Sequence, residues 1–479
     1  MCAHNPELVG TGITGFRVVG WPEVTGTDEG VTMVTRRTVL KSGAALGLFT
    51  LAGCAPQGTK ASNDAPTTPA KSIDVAAAGT VTLSMLDFWG GDSAKWVANA
   101  VKAYQQKYPN VTIKRTSVDW GQLTQTANLR LKEKNPPDII TVNNGWQSLG
   151  TLAKAGLVLN LDGYSKSFGW DKFPSTILRQ TQFTADGTEM GSGSLFATPV
   201  ASSSLIGLYY NKTILERVGA TVPTDLASFE DACTKAKAAG VIPIGYGSQD
   251  KGSSTAILLA LQDLFGDQKK INDFVYSTGS VKADEIGLKD AAERLKSYQD
   301  KGWLTPNHAG IQFADAGDAF LKGKSAFRFE YTGTLAFQGA QKQQYGYVQL
   351  PQVTGGKVVG TGASTAVALG SKCKNPDVAA SFLDFLAGPE AAQFVVENGF
   401  LPLLNDVKAP ADNPEFGTEI TGQRSLDKDN GYVPYFDWST PSMLDTLGGQ
   451  VQQLLAGRST PDALVKAVQA DYDKFQNAR

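Results

Sequence analysis

Apolar and polar positions alternate, then shift to helical spacing, along most of the chain. Thr80 to Phe88 alternates as a strand and runs into the loop Trp89-Gly90-Gly91-Asp92. From Trp96 to Tyr108 the apolar residues Trp96, Val97, Ala100, Val101 and Tyr104 recur at helical spacing, and Pro109-Asn110 ends the helix. Val111 to Val118 reads as a second strand, Leu123 to Lys134 as a helix closed by Pro136-Pro137, and Asp138 to Val142 as a buried third strand. This alternation predicts an α/β domain with a mainly parallel sheet. Ligands of such sheets bind outside the carboxyl ends of strands. The loops Trp89–Asp92 and Asn143–Trp146 are therefore expected to face one crevice.

The pattern continues with a strand at Leu205–Tyr210, a helix at Lys212–Val218, a helix at Phe229–Ala239 and a strand at Val241–Tyr246. Helices are expected at Thr255–Phe265, Ile286–Lys301 and Asp315–Leu321, and strands at Ala326–Glu330 and Tyr345–Leu350. Pro376–Leu386 and Pro389–Glu397 open with proline, as helix starts favour. Ser442–Ala456 and Pro461–Phe475 close the chain as amphipathic helices.

The first eighty residues follow different rules. A basic segment, Arg36 to Lys41, precedes a short apolar run, Ala44 to Leu51, and then Leu51-Ala52-Gly53-Cys54. That order makes a secretory signal, and the run is too short to span a bilayer. Cysteine after the cut site resembles a lipoprotein signal, with Cys54 as the lipidation site. Arg36-Arg37 also fits a twin-arginine signal, a Sec signal being the alternative. Residues 33–53 are thus the signal peptide. Residues 1–32 carry no targeting logic, and translation is expected to start at Met33. Residues 54–79, rich in Ala, Thr, Ser and Pro, read as a flexible tether.

About 400 residues remain, which implies two domains. The chain is 42% hydrophobic and 19% charged, with net charge −2 and no basic cluster. This disfavours a nucleic-acid partner. Of four cysteines, Cys233 and Cys373 lie in the body and are expected as free thiols. The two histidines, His4 and His308, offer no triad or zinc cluster. No P-loop occurs. A carboxylate-pair glycosidase needs only Asp and Glu and remains as an alternative. No metal site or cofactor is expected. Asp427-Lys428-Asp429-Asn430-Gly431 looks like a calcium loop, but Tyr432 and Trp438 stand where Gly and Glu are required, so it reads as a turn. Tyr209-Tyr210 is not an ion-binding pair, because alternation sends the two to opposite faces.

The ordered segments TVTLSMLDFWGG, NPPDIITVN, ATPVASSSLIGLYYNKTIL, FLKGKSAFRFEYTG, VVGTGASTAVAL and NPDVAASFLDFLAGPEAAQFVVENGFLP resemble the bacterial extracellular solute-binding proteins of the maltose-binding class. These are receptors of ABC importers. The resemblance covers roughly Thr80 to Phe475. It implies a periplasmic-binding-protein fold, two α/β lobes joined by a multi-crossing hinge with a ligand cleft between them. Lobe one would comprise 80–198 and 351–397, and lobe two 205–350 and 398–479. Pro199–Ser204 and the segments near Leu350 and Asn398 would be hinge crossings.

The resemblance also implies a monomeric, lipid-anchored receptor on the outer face of the cytoplasmic membrane. It would bind a sugar or oligosaccharide and deliver it to permease subunits. A glycerophosphodiester is the other solute class, and it would call for Arg or Lys in the cleft.

A sugar site needs aromatic platforms and planar polar groups. Strand-end candidates are Asp87, Trp89, Asp92, Trp120, Asn143, Asn144 and Trp146. Ser203 and Ser204 lie at the first crossing, Glu330 and Tyr331 at a lobe-two turn, and Gly362 and Ser364 in a glycine-rich approach. Phe400 and Trp438 complete the set. Replacing Cys54 by serine is expected to leave solute binding by the purified protein unchanged while releasing it from the membrane fraction. Retention in that fraction contradicts the anchor.

Overall fold

A computed structural model describes residues 72–479, apart from 91–92, 185, 336, 404–407 and 409. The leader, signal and tether up to residue 71, Cys54 included, lie outside the described residues, as does Asp92. Everything described below belongs to one compact unit, Lys60–Arg479.

Three parallel-paired strands open the body: β1 (Val81–Asp87), flanked by β2 (Val111–Ser117) and β3 (Ile139–Val142). The helices Ser93–Lys107 and Trp120–Lys132 connect them, as the alternation predicts. β4 (Gln182–Phe183) and β5 (Ser194–Leu195) form a separate antiparallel pair. β6 (Thr198–Asn211), β7 (Ile242–Ile244), β8 (Ser325–Tyr331), β9 (Tyr345–Val348), β10 (Gly360–Leu369) and β11 (Tyr432–Val433) follow. The main sheet runs β2-β1-β3-β10-β6-β8-β7, with β11 on β10 and β9 on β6.

Two strands make this one sheet rather than two. Residues 198–205 of β6 pair antiparallel with β10, while residues 206–211 pair with β8 and β9. β10 in turn pairs with β3 through Ala366–Leu369 and with β11 through Gly360 and Thr361. Each long strand thus passes from one half-sheet into the other.

Two segments that carry site candidates are strand. Pro199–Ser204, expected as a hinge crossing ahead of a strand at Leu205, belongs to the continuous strand β6. Pro199 pairs with Ala366, next to the register shift between Ser364 and Ala366, and an irregular ladder is where a strand tolerates proline. The glycine-rich run at Gly360–Ser364, expected as a close approach to a cleft, is also strand. A Cβ on Gly362 would fall 2.4 Å from Leu205 Cδ2, so glycine serves strand packing here.

Two helices, Gln268–Tyr276 and Pro414–Asp429, were not foreseen from the periodicity. The buried face of the second mixes Glu415, Glu419 and Gln423 with Phe416, Ile420 and Leu426, which blurs the apolar stripe. Asp427–Asp429 is its last turn rather than a free turn, and Asn430 caps it in the left-handed region. Trp120 starts the second helix, ahead of the expected Leu123, with Asp119 as the cap accepting from the Gly121 and Gln122 amides.

Tyr209 and Tyr210 do enter different clusters: Tyr209 with Phe320, Tyr345 and Tyr347, Tyr210 with the large core beside Ile214. Cys233 and Cys373 are free. Among the described residues no helix is long and apolar enough to cross a membrane, and no group of three or more His, Cys, Asp or Glu could hold a metal ion.

Behind β6 and β9, Glu415 and Glu419 lie one helical turn apart, both buried and hydrogen-bonded to each other. The Tyr209 hydroxyl donates to Glu419 Oε1. Burial holds both carboxyls above the usual carboxylate range, with the charges of Lys212 and Lys342 opposing it at Glu415. The folded chain then binds more protons than the unfolded chain above the ordinary glutamate value of 4.5. Stability therefore falls as pH rises from there towards 7. Glu419→Gln keeps an acceptor for Tyr209 and removes the charge. It is expected to flatten the pH dependence of chemical denaturation between pH 5 and 7 and to raise stability at pH 8 by about 1–3 kcal/mol. A variant with the wild-type slope contradicts this assignment.

Candidate functional site

The sequence-predicted residues fall into two groups. At the ends of β1 and β2, the Asp87 carboxylate is fully buried and takes two donors from Arg115, Nε at 2.7 Å and Nη2 at 2.8 Å. The same Nη2 donates to the Trp89 carbonyl at 3.0 Å, and the Trp89 amide donates back to Asp87 Oδ1 at 3.1 Å. Asp87 is thereby occupied in shaping the loop. The Trp89 ring is buried edge-on against Trp96, with centroids 4.9 Å apart. Trp120 differs. It is 37% exposed and stands edge-on to Phe88 at 4.7 Å, an open ring at the strand ends.

The second group joins segments far apart in sequence. Asn143, following β3, accepts from Trp438 Nε1 at 3.1 Å and donates to Gln147 Oε1 at 2.5 Å. Gly145 makes this approach possible: its φ is +74°, and a Cβ there would fall 2.2 Å from Trp438 Cβ. Asn144 sits 3.4 Å from both Gln180 Oε1 and the Ser364 carbonyl, while Gln180 Nε2 donates to the Gly362 carbonyl at 2.9 Å. These amides tie the end of β3 to β10. The Ser364 hydroxyl donates to the Val200 carbonyl, which fastens β10 to β6.

From the other half-sheet, Tyr331 at the end of β8 lies nearly parallel to Tyr435, 22° between planes and 6.2 Å between centroids. Tyr435 meets Trp438 at 5.0 Å and hydrogen-bonds to Ser204. Between them in sequence is Asp437, buried in the short 3-10 turn Phe436–Ser439. Burial pushes its carboxyl up to about 7. Asp263, nearby through Tyr435, is also raised to about 7 by burial, although the Thr361 amide and hydroxyl donate to it.

The remaining candidates make contacts within the fold. The Glu330 carboxylate is paired with Arg328, Nε to Oε2 at 2.7 Å, and both side chains are buried. Arg328 also donates to the carbonyls of Phe313 and Gly245, so its charge is spent within the half-sheet. Trp146 packs edge-on between Phe183 and Phe475 under the Arg479 guanidinium, with its indole N–H buried. Ser203 is engaged by the Leu401 carbonyl and Gln423, and lines a small crevice with Pro174, Ile177 and Tyr432. Phe400 packs on Gly333 and on the first half-sheet core.

Tyr435, Asp437 and Gln180 were missed by the sequence reading. The run Tyr432-Val433-Pro434-Tyr435-Phe436-Asp437-Trp438 carried the available signal, three aromatic neighbours around an acid next to proline. His308, the histidine of the body, is buried, with Nδ1 at 2.8 Å from Ser248 Oγ and Nε2 at 3.1 Å from Gln299 Oε1. An amide in place of an acid leaves an imidazolium there without a counter-charge.

An interhalf group of rings, amides and acids on a shared-strand sheet defines a two-lobed binding protein of the periplasmic type. The family model for bacterial extracellular solute-binding proteins matches residues 99–418. The chain belongs to that family, which places it among extracytoplasmic binding proteins. It is 23% identical over 344 residues to an ABC transporter extracellular-binding protein of Pyrococcus horikoshii, spanning 69% of this chain and 72% of that one. It is 22% identical over 302 residues to the multiple sugar-binding protein of Streptococcus mutans, spanning 61% and 68%. A solved chitin oligosaccharide binding protein superposes with a TM-score of 0.69 at 20% identity, covering 83% of this chain and all of that one.

Glu330→Gln should leave the buried Arg328 charge without its counter-ion. Removing one partner of such a pair costs about 3–5 kcal/mol, which denaturant unfolding will register. Unchanged stability contradicts the framework role.

Proposed function

We propose that this protein is the carbohydrate receptor of an ABC importer, holding a neutral sugar or oligosaccharide between its two half-sheets and presenting it to a membrane permease. The observation that carries the reading is the Asn143–Trp438 contact beside Tyr331, Tyr435 and Asp437. Here one aromatic, amide and acid group is assembled from the ends of β3 and β8 and from the segment after β11. Sugar rings present apolar CH faces that pack on aromatic rings, while their hydroxyls pair with amides and carboxylates. Asn143, Asn144, Ser204, Tyr331 and Trp438 are the contact residues we favour, joined by Gln180, Tyr435 and Asp437. Trp120 is the outer platform. The names of relatives, among them a multiple sugar-binding protein and a chitin oligosaccharide binding protein, support the solute class.

In this reading the lobes are 80–198 with 351–397 and 205–350 with 398–479, and β6 and β10 flex between them. Ligand closes the cleft only through contacts stronger in the closed state than in the open one. The mechanism is binding and release without chemistry. The Cys54 lipid and the tether of 54–79 would keep a monomer beside its permease on the outer face of the membrane. A phosphodiester is the weaker reading. Arg328 is consumed by Glu330, and the Arg179 guanidinium lies over Tyr276 at 4.1 Å, so both are already engaged.

A thermal-shift screen of purified protein against mono-, di- and oligosaccharides, amino acids and glycerophosphodiesters tests the reading. Neutral sugars should raise the melting temperature, since a ligand at a hundred times its Kd adds about 2.7 kcal/mol. Trp438→Ala should weaken that sugar by about 2 kcal/mol or more, roughly thirtyfold. A shift by glycerophosphodiesters alone, or hydrolysis of the added oligosaccharide, overturns it.

A further inference from the structure

We propose that Asp437 is the specificity-determining acceptor of the cleft, a carboxyl held without a counter-ion among aromatic rings so that hydroxyl donors from a neutral ligand, and no anion, complete it. This rests on the carbohydrate reading above.

The other buried acids described here have partners built into the fold. Asp87 has Arg115, Glu330 has Arg328, Asp263 has the Thr361 amide and hydroxyl, and Glu415 and Glu419 have each other. Asp437 is 4% exposed, forms no ion pair among the described residues, and has only its own backbone N–H to offset burial. A carboxylate removed from water without donors is costly.

No lysine or arginine acts on its carboxyl. Tyr331 and Tyr435 are the ionisable side chains it influences, with Glu330 beyond the first and Asp263 beyond the second. The helix Gln268–Tyr276 packs on the same turn, but its Lys269 and Lys270 are paired with Asp273 and Glu285. Helix Met443–Leu455 brings only Asp445, and the segment Trp146–Gly150 brings no charge. An anionic solute would find no cation acting at this carboxyl, whereas two hydroxyls of a sugar would supply the missing donors.

The proton balance follows. Burial pushes the Asp437 carboxyl up to about 7, so it is largely protonated below that pH. Hydroxyl donors favour the ionised form, so the carboxyl proton leaves to solvent as ligand binds. Affinity therefore rises with pH between 6 and 8.

Isothermal titration tests this with raffinose, cellobiose, xylotriose and N,N′-diacetylchitobiose, at pH 6 and 8, in buffers of different ionisation enthalpy. The sugars that bind the wild type should bind about tenfold more tightly at pH 8, with release of a fraction of a proton. Asp437→Asn, verified as folded by circular dichroism, should lose the proton release and weaken binding at pH 8 about tenfold or more. Binding with no pH dependence, or an Asp437→Asn variant with wild-type affinity, overturns this inference and leaves the receptor reading standing. So does equal affinity for glucuronic acid or glucose 6-phosphate. A wild type that binds no carbohydrate removes the receptor reading, and this inference with it.

Discussion

The antiparallel pairing of β6 with β10 is the constraint on which the rest depends. Both strands are longer than the half-sheets they serve, and each trades partners along its length: β6 from β10 to β8 and β9, β10 from β3 to β11. Main-chain hydrogen bonds thus join the two half-sheets. The register shift between Ser364 and Ala366 interrupts the ladder at the junction, beside Pro199, which has no donor to contribute. In the proposed closure, bending would fall at this break. It also places Ser203, Ser204, Gly362 and Ser364 at that junction without requiring them to touch a solute.

Polar groups in the interior then divide by purpose. Arg115 with Asp87 and Arg328 with Glu330 spend their charges on holding strand-end loops in shape. Such pairs contribute geometry more than stability, since desolvation offsets much of their attraction. They leave the aromatic group of Tyr331, Tyr435 and Trp438 on a firm frame. Asn143 and Gly145 bring the opposite half-sheet into contact with it, the amide through a hydrogen bond and the glycine by lacking a side chain. Trp146, Phe475 and Arg479 make a second contact between the halves.

The fold was largely legible in the sequence because strands β1 to β3 and the proline-started helices carry strong, local periodicity. Legibility failed where tertiary contact overrides local pattern. Glycines and serines of β10 look like loop until their partners on β3 and β6 are known, and the polar face of Pro414–Asp429 becomes buried only because Tyr209 and a second carboxyl await it. The site was harder. Asp87 and Glu330 have the right chemistry at strand ends, but an arginine within reach takes each, and nothing in their own segments announces that partner. Asn143 and Trp438 were visible as candidates one by one. Their meeting was not, because 295 residues separate them.

The central claim is that two half-sheets sharing β6 and β10 close on a sugar. The most direct measurement is the distance between spin labels at Lys102 and Asp231, one on each half, in a protein whose native thiols are replaced. Pulsed electron resonance should give a broader, longer distance distribution without ligand and a shorter, narrower one with a saturating neutral oligosaccharide. One unchanged distribution, with binding verified in the same sample, would contradict the account.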